Sequence, residues 1–294
     1  MELKKIVILV ITYNRKEQLL KLVSLLVGSG YKNKKIIIYD NGSVNKVEEF
    51  LLDDSVTILR SNTNEGSAGG FYNGMKHIHE NIDYDYLWTF DDDTYPTEIT
   101  FIEDMLISLQ KINNFGFVVP KSLDRNGEIA SMNMPGRRKI LELINKKNIK
   151  MNSNSIQKVD YGSFNCIVFS KDAIAKCGYP NRDFFLRYDD VEYSSRISKE
   201  FNCFYLPNFV FIHDVLNSEV SQGLAYDDKR NYGLRNRVYA SVYNESFPYN
   251  TYKFSIFLLM DIKKIMSDSN KFSNFKSAVK MYYLGLTKQL GKLP

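Results

Sequence analysis

Ile6-Val7-Ile8-Leu9-Val10-Ile11-Thr12-Tyr13-Asn14-Arg15 begins with six unbroken apolar residues and then turns abruptly polar. A strand with one face in water alternates apolar and polar side chains, whereas a strand buried on both faces is apolar throughout. The run therefore predicts a central strand of a sheet covered on both sides. Further short apolar runs follow at residues 35–39, 56–59, 86–90 and 115–119. Leu19, Leu22, Val23, Leu26 and Val27 recur at helical spacing between the first two, and Val47, Phe50 and Leu51 predict a shorter helix. Strand and helix in alternation mean an α/β architecture, a mainly parallel sheet sandwiched by helices.

Beyond that core the pattern weakens. Residues 124–157 read as surface loops, with a hairpin or short helix around 140–144. Apolar order returns at 166–169, a helix is expected near 171–177, a second helix opens in the acidic segment 187–192, and late strands are expected at 204–206 and 209–212. From residue 250 the character changes. Phe254, Phe257, Leu258, Ile262, Ile265 and Met266 share one helical face, as do Phe272, Phe275, Val279, Tyr282, Tyr283, Leu286 and Leu290. The expected division is a body, 1–249, and a basic amphipathic helical tail, 250–294.

The chain of 294 residues carries 39 Lys plus Arg against 34 Asp plus Glu, a net charge of +5. That excess is too dilute for a nucleic-acid footprint. It is also unevenly placed, since the tail holds eight lysines and no arginine against Asp261 and Asp268, which leaves the body nearly neutral. The tail is therefore expected to lie on an anionic membrane surface, with packing on the body or on a second subunit of a homo-oligomer as the alternative. Cys166, Cys177 and Cys203 suggest neither a disulfide framework nor a zinc knuckle, and a reducing cytosol fits best. The first apolar run is too short for a signal peptide, and residues 256–260 fall far below the roughly 20 needed to span a bilayer. The expected location is cytoplasmic, with peripheral attachment at the inner face of the membrane.

In an open α/β sheet ligands bind beyond the carboxyl ends of the strands. Polar residues collect there: Thr12-Tyr13-Asn14-Arg15, Asp40-Asn41-Gly42-Ser43, residues 62–70 and Asp91-Asp92-Asp93. Adjacent carboxylates repel one another unless solvated or neutralised. Alternate residues of an extended segment point the same way, so Asp91 and Asp93 are candidate ligands for a hard divalent cation. The competing reading is a solvated turn, with Asp93 or Thr94 capping a helix and Pro96 in its first turn. Asn64-Glu65-Gly66-Ser67-Ala68-Gly69-Gly70-Phe71 lets backbone approach a ligand and leaves amides for an anion at a helix start, although alone it reads equally as a flexible loop.

Asp189-Asp190-Val191-Glu192 gathers carboxylates beside aromatic residues, either to cap a helix or to supply a general base. His213 ends the last apolar run and is the natural third ligand of a cation held by Asp91 and Asp93. Residues 229–237 concentrate cations, including Arg235 beside Asn236, as a diphosphate clamp or as a solvated helix face.

Taken in order, Thr-Tyr-Asn-Arg, Asp-Asn-Gly-Ser, Asn-x-Gly-x-Ala-Gly-Gly-Phe, the triple Asp, Asp-Asp-x-Glu-Tyr, a strand-terminal His and Tyr-x-x-Arg-Asn resemble an inverting family 2 glycosyltransferase of the GT-A fold. The pattern is closest to bacterial galactofuranosyltransferases and covers about residues 5–240, leaving a C-terminal helical appendage outside it. The resemblance implies that Thr12, Tyr13, Arg15, Asp40, Asn64, Gly69 and Gly70 bind the nucleotide, with Asp40 accepting a hydrogen bond from the pyrimidine. It implies that Asp91, Asp93 and His213 hold Mn2+ or Mg2+ on the donor diphosphate. Asp190 would be the general base, with Asp189, Glu192, Asp92, Arg235 and Asn236 contacting substrate. One departure is Phe164-Asn165-Cys166-Ile167, where those enzymes tend to carry paired tryptophans after Phe-Asn. The implied reaction moves galactofuranose from its UDP donor, or rhamnose from a dTDP donor, to a lipid-linked or growing surface polysaccharide. The rival classes are a metal-dependent nucleotidyltransferase and a non-catalytic sugar-binding protein.

Overall fold

Strand β1 (Ile6–Thr12) lies inside the sheet, parallel to β2 (Lys34–Asp40) on one side and to β4 (Tyr86–Asp91) on the other, and β3 (Val56–Arg60) extends the parallel set beyond β2. The structure is a computed structural model describing residues 3–51, 53–137, 149, 155–214, 226–267 and 271–293. The expected hairpin or helix at 140–144 lies outside the described residues. Ile6, Ile8 and Val10 pack into one apolar cluster with Leu19, Leu22 and Leu26 of α1 (Lys16–Gly28), while Val7, Leu9 and Ile11 pack into a second with Phe71, Met75 and Ile78 of α2 (Gly66–Asn81). Alternate residues of one strand thus feed two cores, which is why the run carries no polar residue. Each such side chain contributes about 1.5–3 kcal/mol on burial.

The rest of the sheet is not parallel throughout. β8 (Cys166–Ser170) inserts antiparallel between β4 and β6 (Phe115–Leu123), with Phe90 opposite Cys166. This brings the start of β8, and Phe164 and Asn165 before it, to the carboxyl end of β4. The Cys166 side chain points into the core, where its sulfur accepts the Trp88 indole N–H at 3.2 Å. The expected late strands are one strand, β9 (Asn202–His213), which runs parallel to β6 with a register shift between Pro120 and Lys121. Two short strands, β5 (Thr94–Pro96) and β7 (Gln157–Lys158), pair antiparallel with β9. Pro96 therefore ends an extended segment, and α3 (Phe101–Leu109) starts only after Thr100.

Helix α4 (Lys171–Cys177) follows β8, and α5 (Asp189–Glu200) precedes β9. Three helices close the described chain: α6 (Tyr226–Tyr243), α7 (Tyr249–Met266) and α8 (Lys271–Leu286). Leu234, Ile265, Ala278 and Met281 share a small core among them. Arg237 Nη2 of α6 pairs with Asp261 Oδ2 of α7 at 2.5 Å, and Tyr282 of α8 donates to the same oxygen at 2.7 Å. Among the described residues no helix is long and apolar enough to cross a membrane.

Candidate active site

The loops after β1, β2 and β3 are tied to one another by their own polar side chains. Asn14 has a left-handed backbone, φ 57°, from which its amide donates to Ser43 Oγ at 2.9 Å and its side-chain oxygen accepts from the Val44 amide at 2.8 Å. Asn41 Nδ2 donates to the Gly66 carbonyl at 2.9 Å, and Asn64 Oδ1 accepts the Gly66 amide at 2.8 Å. Gly66 has φ +73°, and a Cβ there would fall 1.9 Å from the Phe185 carbonyl oxygen, so α2 meets the loop before Asp189 through bare backbone.

Several expected nucleotide contacts turn elsewhere. Asp40 is fully buried, its Oδ1 accepting from the Ser43 amide at 2.9 Å and its Oδ2 pairing with Arg60. A buried carboxylate needs such partners, and with them it fixes the turn after β2 instead of facing the cavity. Gly69 and Gly70 lie inside α2. A Cβ on Gly70 would sit 2.9 Å from Ile11 Cγ2, so the glycine lets the helix close on β1.

At the end of β4 the acidic triplet is drawn toward β9, because β5 pairs with it and sets Thr94 opposite His213. One ligand atom from each of Asp91, Asp93 and His213 lies within 4.8 Å of the others. His213 Nδ1 lies 2.6 Å from Asn133 Oδ1, which orients the ring so that Nε2 faces Asp93 Oδ1, 3.2 Å away. That oxygen is buried and makes no hydrogen bond. Thr12 donates to Asp92 Oδ2 at 2.7 Å, and Arg15 bridges Asp92, at 2.9 Å, and Asp93. Three carboxylates against one guanidinium leave two negative charges, the charge of one divalent cation. Two carboxylates, one with an oxygen that makes no hydrogen bond, and an imidazole nitrogen within 4.8 Å of both fit Mn2+ or Mg2+.

Second across the cavity is the start of α5, reached through an unusual backbone. Phe185, Arg187 and Tyr188 have φ of 62°, 67° and 69°. Each such residue costs about 1–3 kcal/mol and persists only when its surroundings hold it. Here α6 does so: Asn236 Nδ2 donates to the carbonyls of Phe184, Leu186 and Arg187 at 2.9, 3.0 and 2.8 Å. Arg235 donates to the Phe184 carbonyl at 3.1 Å and to that of Gly291 at 2.7 Å. Both side chains are buried, so Arg235 and Asn236 do not face a substrate but fix the loop that delivers Asp189 and Asp190. Asp189 Oδ2 accepts from Ser67 at 3.1 Å, and Asp190 Oδ1 from the Val191 amide at 2.7 Å. Glu192 turns away from the cavity to Arg196 Nε at 2.7 Å and Asn244 Nδ2 at 2.6 Å.

Crowded, buried carboxylates hold protons more tightly than usual. Burial, then Asp93, pushes Asp91 up to about 7, and burial pushes Asp92 up to about 6 against the pull of Arg15. Asp93 is also buried, yet His213 and Arg15 together hold it below the usual range. His213 is raised, Asp93 and Asp91 outweighing its burial. Burial, then Asp190, pushes Asp189 up to about 8, and burial raises Asp190. In the unfolded chain these carboxyls ionise near about 4, so between about pH 6 and 8 the folded chain binds more protons than the unfolded one. Without a divalent cation, stability is therefore expected to rise as pH falls from 8 to 6, by roughly 1 kcal/mol per unit. Unfolding midpoints measured across that range with EDTA and with Mn2+ check this, and the cation should flatten the slope by displacing the protons of the triplet.

Thr12, Tyr13, Arg15, Asn64, Asp91, Asp92, Asp93, Asp189, Asp190 and His213 all line one cavity of about 660 Å³. That falls within the roughly 300–1,000 Å³ of small-molecule sites. Residues 7–178 match the family described as glycosyl transferase family 2. The chain belongs to that family.

Among members with curated functions, this family 2 chain is 29% identical over 195 residues to galactofuranosyltransferase GlfT1 of Mycolicibacterium smegmatis, covering 64% of this chain and 63% of that protein. It is 20% identical over 194 residues to the low-salt glycan biosynthesis hexosyltransferase Agl10 of Haloferax volcanii, covering 66% and 61%. The matches thus span less than two thirds of either relative. S. aureus TarS 1-349 in complex with UDP-GlcNAc superposes with a TM-score of 0.64 at 10% identity, over 97% of this chain and 82% of that one. Mannosyltransferase PcManGT from Pyrobaculum calidifontis, in complex with GDP-Man and Mn2+, gives 0.58 at 12% identity, over 99% and 77%. The fold is GT-A.

The family match stops before Asp189, Asp190 and His213, which reach the cavity from α5 and β9. Sequence reasoning also missed cavity residues. Asn133, the partner of His213, lies in a stretch read as featureless loop. Ser67, Ser163, Met260 and Lys264 line the cavity too, the last two from α7. Nothing local marks Asn133. The helical spacing that placed Ile265 on an apolar face of α7 was, however, a signal that part of that helix is buried, as Ile265 is beside Leu234.

Proposed function

We propose that the chain is a metal-dependent inverting glycosyltransferase that moves a sugar from a nucleoside diphosphate donor to a hydroxyl of a lipid-linked or growing surface polysaccharide. UDP-galactofuranose is the favoured donor and dTDP-rhamnose its nearest rival. The observation that carries this reading is the meeting of two acidic sets in one cavity, Asp91, Asp93 and His213 at the end of β4 and Asp189 with Asp190 at the start of α5.

Inverting displacement needs a base on one side of the anomeric carbon and charge neutralisation on the other. The acceptor oxygen bonds to the anomeric carbon as the bond to the diphosphate breaks, and the hydroxyl proton passes to Asp190. Burial raises the pKa of Asp190, which makes it the stronger base once ionised. Asp189, pushed up to about 8 by burial and by Asp190, accepts from Ser67 and flanks the base. Thr12, Tyr13 and Asn64 supply polar contacts for the nucleotide. Bound by Asp91, Asp93 and His213, Mn2+ or Mg2+ would act as a Lewis acid on the leaving diphosphate.

A thermal-shift panel of UDP, UDP-galactofuranose, dTDP, dTDP-rhamnose, UTP and dTTP, each with Mn2+ or EDTA, tests the reading. At a concentration about 100 times Kd a ligand adds about 2.7 kcal/mol of stability. Stabilisation by the uridine pair only with Mn2+ is expected. Stabilisation by a nucleoside triphosphate alone would point to nucleotidyl transfer instead, and the absence of a response to every nucleotide would sink the proposal.

A further inference from the structure

Helices α7 and α8 bury one face each and leave another in water. The buried face of α7 carries Ile265 and Asp261, and that of α8 carries Ala278 and Met281. On α8, Phe272, Phe275, Val279, Tyr283 and Leu286 form a continuous stripe at spacings of three and four, and all are exposed, Phe272 by 85%. On α7, Leu259, Ile262 and Met266 repeat the pattern, with Leu259 66% exposed. Large apolar side chains gathered this densely on a surface mark a binding face.

Charge selects the occupant. Lys263 on α7, and Lys276 and Lys280 on α8, are exposed and border the stripes. The acidic residue described on these helices, Asp261, is already paired with Arg237 and Tyr282. A two-fold contact between copies would set this face against itself, lysine facing lysine with no exposed carboxylate among the described residues of either helix to offset them. An apolar stripe flanked by lysines is instead the pattern of a helix lying in a bilayer interface. We infer that α7 and α8 form a docking face for an anionic phospholipid bilayer, with the stripes in the acyl boundary and the lysines at the phosphate level.

The helix that carries the second stripe also borders the cavity, which Met260 and Lys264 line from another side of α7. Docking does not depend on the proposed reaction and can fail or succeed independently of it.

Co-sedimentation of the full chain with phosphatidylcholine vesicles, with and without phosphatidylglycerol, provides the test. Binding that needs phosphatidylglycerol is expected, weakening as salt rises from 0.1 to 1 M and the screening length falls from about 10 to 3 Å. Lys276→Ala/Lys280→Ala should weaken it about fivefold per lysine removed. Phe272→Ser/Phe275→Ser, at exposed positions outside every core, should abolish it while leaving the thermal shift with UDP and Mn2+ unchanged. Equal binding to neutral vesicles, no binding at all, or full binding by the Phe272→Ser/Phe275→Ser chain would overturn the inference. So would a stable dimer in light scattering that this double substitution turns into monomer, since the face would then belong to a second copy.

Discussion

Asp93→Ala is expected to lower kcat/KM by about 10³-fold or more and to remove the stabilisation of the folded chain by Mn2+. Asp93 joins the two sources of the site. Its Oδ2 pairs with Arg15 after β1, and its Oδ1 lies 3.2 Å from the His213 ring at the end of β9. Removing it leaves Asp91 and His213, two ligands from opposite sides of a gap. The fold should tolerate the change, because Arg15 keeps Asp92 at 2.9 Å and β5 keeps its backbone pairing with β9. The measurement is transfer rate together with unfolding midpoint at increasing Mn2+. An Asp93→Ala chain that still transfers within tenfold of the parent, and still gains stability from Mn2+, would remove the metal from the proposed mechanism. Asp54→Ala, at an exposed carboxylate outside the cavity lining, serves as the control and should change neither.

The first strand was legible because its burial is written in consecutive residues. Both faces of β1 are covered, and six apolar residues in a row have no other economical explanation in an α/β chain. The acidic triplet was legible for the same reason, since Asp91 to Asp93 sit side by side in sequence and directly follow a strand. Geometry that depends on distant pairing was harder to read. Apolar content alone does not give strand direction, so the antiparallel entry of β8 between β4 and β6, and the merging of two late runs into β9, needed the fold.

Residue type misled where a polar group satisfies the protein instead of a ligand. Arg235 and Asn236 carry the donors expected of a diphosphate clamp, yet those donors go to carbonyls about fifty residues earlier in the chain and, from Arg235, to that of Gly291 as well. Asp40 carries the right acceptor for a pyrimidine, but Arg60 and the Ser43 amide hold it inside. In each case burial decides, because a buried polar side chain must find partners and backbone is the nearest supply. These residues remain coupled to the site at one remove. The loop they hold turns through three left-handed residues, Phe185, Arg187 and Tyr188, and comes out of them at Asp189.

That placement gives Asp190→Asn the second large expected effect. Asparagine matches aspartate in size and can still accept from the Val191 amide through its side-chain oxygen, so α5 should start as before. What it lacks is a lone pair basic enough to take the acceptor proton. Losing a positioned general base costs about 10²- to 10⁴-fold, and the loss should fall on kcat, with the affinity for UDP in the presence of Mn2+ unchanged. The pH profile separates this role from simple loss of negative charge. In the parent, transfer should fall as pH drops through a value above the ordinary carboxylate range, since burial raises Asp190. In Asp190→Asn the residual rate should no longer follow that limb. A substituted chain that keeps near-normal transfer while nucleotide still binds would move the base elsewhere in the cavity, and Asp189 would then be the residue to replace next.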